Sequence, residues 1–214
     1  MTGVQTCALP TSGAGDTWRY REAATGLELS RSEGLAVASL RAFQAGLFSA
    51  DPLLPLRVDA AALRNLDEAQ LADAFQARPG SGNPLVGLDG RAALLRRFGE
   101  VLDDHTGLFA GGRPSGLLAA IRARGTDVRA ADLLGDLLEG LGPIWRDRLE
   151  LGGVNLGDCW RHPAAGGTGM SAGLVPFHKL TQWLAYSLFE PLELGGLKVV
   201  QHGALTGLSE YRNG

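Results

Sequence analysis

With 214 residues, 45% of them apolar and 20% charged, the chain has an ordinary globular composition and is long enough for one substantial domain. A formal net charge of −3 gives no electrostatic reason to expect nucleic acid as partner, and no run approaches the ~20 apolar residues of a membrane span. Two cysteines, Cys7 and Cys159, make no disulfide framework, which points to a reducing, cytoplasmic setting.

Residues 1 to 11 show no helical or strand period. They resemble the translation of a sequencing-library adapter at the start of a metagenomic reading frame, so they are expected to be disordered and to play no part in the fold. The chain is accordingly expected to be a fragment, incomplete at both ends, with residues 12–214 forming a single helical domain. Trp18–Arg21 and Leu27–Ser30 alternate about Ala24-Thr25-Gly26 and predict a hairpin. Ser30 or Ser32 then caps a helix carrying Leu35, Val37, Ala38, Leu40, Phe43 and Leu47. Asp59 and Asp67 read as caps of two short helices, and Asp89 opens a third with Leu94, Leu95, Phe98, Val101 and Leu102. Residues 107–114 form a flexible connection. Ser115 caps a helix through Ile121, and 132–141 form another. Residues 149–158 predict a hairpin turned by Gly152-Gly153, followed by a Gly-rich loop over 164–173 and a short strand at 197–200. The sum is a mainly α fold with two small β-hairpins.

The stretch Pro176–Glu190 reads as a helix opened by its proline. Phe177, Leu180, Leu184 and Leu188 make its apolar stripe, widened by Trp183, while His178, Lys179, Gln182 and Tyr186 fall on a neighbouring face. Burying that polar face without partners costs roughly 1–3 kcal/mol per group, so it is expected to line a cavity. Chemistry-bearing side chains also gather in Asp158-Cys159-Trp160-Arg161-His162 and in Glu210-Tyr211-Arg212. Cys159 and His162 have C-x-x-H spacing, but two ligands fall short of a zinc site, and no metal or cofactor is implied. No serine sits in a nucleophile elbow, and Gly166-Gly167-Thr168-Gly169 lacks the lysine of a phosphate loop.

Several motifs, in order, resemble the uracil catabolism protein four family: Ser32–Ser39, Asn83–Leu88 with Gly90-Arg91, Gly157–His162, Val175–Leu184 and Leu205–Gly214. The resemblance implies a role in pyrimidine breakdown. A fainter one concerns Lys179-x-x-Gln182 and Thr206-x-x-x-Glu210-Tyr211-Arg212, which are similar to a Lys-x-x-Gln helix and a Thr-x-x-x-Asp-Tyr-Arg element of queuosine nucleotide glycosidases. It implies a helical fold akin to DNA glycosylases and cleavage of an N-ribosidic bond, with Glu210 standing where those enzymes have Asp.

Together these imply hydrolysis of a ribosylurea-type phosphate, with Glu210 as the catalytic carboxylate near the Lys179/Gln182 face. His178, Lys179, Gln182, Asp158, Trp160, Arg161, His162, Tyr211 and Arg212 are the substrate-binding candidates, joined by Ser32 and Glu33 from the first motif. The expected partner is a small nucleotide-like molecule, with neither nucleic acid nor membrane. Two other classes stay open: a metal- or nucleophile-dependent C–N hydrolase, and a non-catalytic nucleotide-binding protein.

Overall fold

The computed structural model describes residues 13–78, 80 and 82–208. The chain divides after Ala120 into two compact units. Mainly α structure, with small pieces of strand, is what both contain.

In the first unit, β1 (Tyr20–Arg21) pairs antiparallel with β2 (Glu28–Leu29), Tyr20 opposite Leu29, as the alternation predicts. Two amide side chains dock on the β1 segment as a further strand would. Asn83 accepts from Arg19 N at 2.7 Å and donates to its carbonyl at 2.9 Å, while Gln76 does the same for Arg21 at 3.0 Å each way. Trp18 is fully buried, and its indole donates to the Phe75 carbonyl at 3.0 Å. Helix α1 (Arg31–Gln44) passes close over it because Gly34 has no side chain: a Cβ there would lie 2.8 Å from the Trp18 ring. Ser30 takes the cap position of α1 but makes no side-chain cap bond, and Ser32 lies inside the helix. Leu40 faces outward, so the buried stripe is Leu35, Ala38 and Ala42.

Asp59 caps α2 (Ala60–Arg64) by accepting from Ala62 N, and its second oxygen takes Ala50 N and Arg57. Asp67 and Gln70 close a reciprocal capping box on α3 (Glu68–Ala74). Helix α4 (Leu88–Asp104) buries Leu94, Leu95, Phe98, Val101 and Leu102, the face read from the sequence. It meets α2 at Gly99, where a Cβ would stand 2.8 Å from the Ala60 carbonyl oxygen. The connection over 107–114 is held rather than loose: Phe109 is fully buried and the Gly112 carbonyl accepts from Ala60 N. Helix α5 (Gly116–Arg122) leads from one unit into the other.

The second unit is framed by a parallel pair, β3 (Asp127–Arg129) beside β8 (Lys198–Val200), of which the sequence reading had only the latter. Helix α6 (Ala130–Leu141) follows β3 and ends in a 3-10 turn at Gly142–Ile144. β4 (Glu150–Leu151) and β5 (Val154–Asn155) form the expected hairpin, with Gly152 and Gly153 at φ +59° and +79° as a two-residue primed turn requires. β6 (Cys159–Arg161) pairs antiparallel with β7 (Leu174–Pro176), so the described residues hold a third antiparallel pair beside the two expected hairpins.

Pro176 therefore ends a strand opposite Cys159 and does not open the helix. Helix α7 (Lys179–Leu194) starts three residues later, with His178 as a left-handed cap at φ 46°. It runs through Pro191 in its last turn, which removes one i→i−4 backbone hydrogen bond and sets the ring against the carbonyl four residues back. Its buried face is Leu184, Ala185, Leu188 and Leu192, with Gln182 at the top. Leu180 and Trp183, assigned to the apolar side from spacing, are 40% and 39% exposed. Starting the helix later moves Phe177 off it and shifts the stripe one turn toward the C-terminus. Among the described residues no helix is long and apolar enough to cross a membrane.

Candidate functional site

Sequence reasoning placed substrate-binding side chains at the start of α7 and in the Asp158–His162 turn, and the structure brings part of that set to one cavity. A cavity of about 360 Å³ in the second unit is lined by Glu139 and Leu138 from α6, Trp145 beyond the 3-10 turn, Asn155 of β5, and Asp158. His178, the cap of α7, and Thr181 within it also line the cavity. A smaller one of about 150 Å³ shares Trp145, Asp158 and Thr181 and adds Arg148 and Leu180.

Asp158 is the joint of the site. Its backbone carbonyl accepts from the amides of Phe177 and His178, tying the β6 turn to the chain entering α7. One carboxylate oxygen accepts from the Trp160 indole at 2.9 Å and the other lies 3.4 Å from Lys179 N. The first amide of α7 thus faces a fixed negative charge, the sign that a helix N-terminus favours. Burial pushes the His178 imidazole below its ordinary pKa, opposed by the charge of Asp158. Gly157 sits between rings: a Cβ on it would be 3.8 Å from the His178 imidazole and 4.0 Å from the Trp145 indole. Asn155 holds this turn, donating to the Trp145 carbonyl at 2.6 Å and accepting from Gly157 N at 2.8 Å.

The other candidates go elsewhere. Arg161 donates to the carbonyls of Ala172 and Met170 and so staples the Gly-rich loop. His162 is exposed and its Nδ1 accepts from Ala164 N, while Cys159 is buried. Trp160 is half exposed, with the Arg148 guanidinium 5.1 Å over its ring. Lys179 is half-buried in the first turn of α7. Ser32 and Glu33 are exposed in the first turn of α1, within the first unit. Glu210, Tyr211 and Arg212 lie outside the described residues, as do residues 1–12.

Gln182 does not face the cavity. It is buried, donating from Nε2 to the Phe177 carbonyl at 3.1 Å and accepting at Oε1 from the Thr206 hydroxyl at 2.9 Å. The Tyr186 hydroxyl donates to the Thr206 carbonyl at 2.8 Å, and Phe189 stacks on His202 at 5.0 Å. The segment after β8 therefore runs along α7 from Phe189 back toward Gln182. Trp145, Glu139, Asn155 and Thr181 were missed in the sequence. They come from separate elements, and no local spacing marks them.

A family described as "Protein of unknown function (DUF1688)" matches residues 6–214, and the chain belongs to it. Protein urg3 of Schizosaccharomyces pombe is 42% identical over 207 residues, which cover 95% of this chain and 48% of the relative. Uracil catabolism protein 4 of Lachancea kluyveri is 36% identical over 221 residues, covering 96% of this chain and 50% of the relative. The chain spans about half the length of these curated relatives, and the resemblance to the uracil catabolism protein four family holds.

Proposed function

We propose that this chain is part of an enzyme of uracil catabolism that hydrolyses the N-glycosidic bond of a ribosyl-phosphate intermediate of the ribosylurea type, with Glu210 as its catalytic carboxylate. The observation that carries the reading is the hydrogen bond from Thr206 to Gln182. It joins the Lys179-x-x-Gln182 helix to the Thr206-x-x-x-Glu210 element, the two halves of the glycosidase-like pattern. The path of residues 202–206 along α7, from Phe189 back to Gln182, supports the two motif halves belonging to one site. The name of the Lachancea kluyveri relative supports the pathway.

In the proposed reaction a water oxygen attacks the anomeric carbon as the C–N bond breaks, and the bonding pair leaves with the urea nitrogen. The transition state has oxocarbenium character, so a carboxylate beside the anomeric carbon stabilises it and accepts the proton of the attacking water. The departing nitrogen gains a proton from a donor on the opposite side. Lys179 and Arg212 hold the phosphate, Lys as a point charge and Arg by its fork.

The test is turnover of ribosylurea phosphate by a full-length protein containing this sequence. Glu210→Gln keeps the shape and removes the charge, and should lower kcat by roughly 10²–10⁴-fold. Activity equal to the parent would refute the reading. Turnover that survives Glu210→Gln but disappears with a chelator would identify a metal-dependent C–N hydrolase instead.

A further inference from the structure

We propose that the 360 Å³ cavity of the second unit seats the neutral, planar nitrogenous end of the substrate, a ureide or uracil ring, and turns away its phosphate. The inference rests on the reading above for the substrate's identity. The selectivity of the cavity is argued from its own walls.

Charge is the first argument. Among the described residues, the acidic groups in the lining are Glu139 and Asp158, and His178 is the one lining residue able to carry a positive charge. Burial disfavours its cationic form. A phosphate dianion placed here would face the Glu139 and Asp158 carboxylates, which oppose its charge. The helix terminus that would otherwise attract an anion already has one, because the Asp158 carboxylate lies at the first amide of α7.

Shape and hydrogen bonding are the second. Trp145 supplies an aromatic surface, and Leu138, Val154 and Leu156 supply apolar area, the lining suited to a flat ring rather than a hydrated anion. A neutral imidazole offers one N–H donor and one nitrogen acceptor, complementary to the adjacent C=O and N–H of a ureide. The Thr181 hydroxyl can donate or accept. Gly157 keeps the cavity open where a side chain would project toward both the His178 and Trp145 rings. Asn155 braces the Trp145 carbonyl and Gly157 with one donor and one acceptor, which fixes its side chain in the wall of the cavity. The positive charge absent from the larger cavity is found at the smaller one next to it, where Arg148 lines the wall beyond Trp145 and Asp158.

The experiment is ligand-observed saturation-transfer NMR and calorimetry on the 214-residue chain, with uracil, N-ethylurea, inorganic phosphate and ribose 5-phosphate as probes. Uracil and N-ethylurea should bind and compete with each other, and inorganic phosphate should displace neither. Trp145→Leu and Gly157→Ala should each weaken uracil binding at least tenfold with the far-UV circular dichroism unchanged. Arg148→Ala should leave it as it was. Displacement of uracil by phosphate, or no binding of uracil or N-ethylurea, overturns the proposal. So does uracil binding that survives both cavity variants. The glycosidase reading fails separately: uracil binding with Glu210-independent turnover sinks that reading and leaves this one standing. Glu210-dependent turnover without a uracil site in this cavity does the reverse.

Discussion

The bond between Gln182 and Thr206 can be measured. Gln182 is 7% exposed and Thr206 is exposed, so the two partners lose differently when the bond is cut. Thr206→Val leaves the buried Gln182 Oε1 without its donor, at about 1–3 kcal/mol. Gln182→Leu frees the Thr206 hydroxyl to water but also removes the donor to the half-buried Phe177 carbonyl. Two net hydrogen bonds at about 0.5–1.5 kcal/mol each again give about 1–3 kcal/mol. The double variant replaces both partners by apolar groups, so it should cost about 1–2 kcal/mol less than the sum of the singles. Urea unfolding followed by circular dichroism, with Cm and m fitted for all four proteins, reads this coupling directly. A coupling within about 0.3–0.5 kcal/mol of zero is what independent sites show. It would mean that the two motif halves are not joined through these side chains, and the argument for a shared site would lose its footing.

Three further outcomes follow from the geometry. His178 has its pKa lowered by burial, so the unfolded chain takes up a proton that the folded chain resists. Its contribution to stability is full above the unfolded value of about 6.5 and is lost as pH falls through the lower folded value. Unfolding midpoints measured between pH 7.5 and 5 should fall with acid, and less steeply in His178→Gln; equal slopes would refute the assignment. Gly99→Ala drives a methyl to 2.8 Å from the Ala60 carbonyl oxygen and 2.9 Å from Arg64 N, so α2 and α4 must separate. A loss of about 1–3 kcal/mol is expected by urea titration, against the slight gain that glycine-to-alanine gives in an open helix. Asp67→Ala removes a capping box and should cost about 1 kcal/mol in the same assay, whereas an unchanged midpoint would show the box contributes nothing.

Local chemistry was legible where a residue acts on its own neighbours. Asp59 and Asp67 were read as caps because a carboxylate before an apolar run satisfies amides three residues on, and both do so. Gly152-Gly153 announced its hairpin for the same kind of reason. Strands of three residues carry no period, which is why β3 and the β6–β7 pair escaped notice. Pro176 fits a strand end as well as a helix start, and only its pairing with Cys159 decides between them. At the site, Asp158 and His178 were named from their motifs. Trp145 and Glu139 could not be, since only the packing of α6 and the hairpin against the turn at Gly157 makes them neighbours.

The β3–β8 pair also sets an order of events. Asp127 meets Lys198, so its partner strands are separated by about 70 residues of chain. Closing such a loop costs roughly 2 kcal/mol more than closing a short hairpin, and that cost precedes any contact that repays it. During synthesis, β3 and α6 emerge long before the strand that completes them, and β3 waits as an open edge. The second unit can therefore close only when residues 198–200 have been made, so its folding is set by the arrival of β8 rather than its first helix. A chain cut before that strand would keep all of the residues that line the 360 Å³ cavity and lose the pairing that frames them.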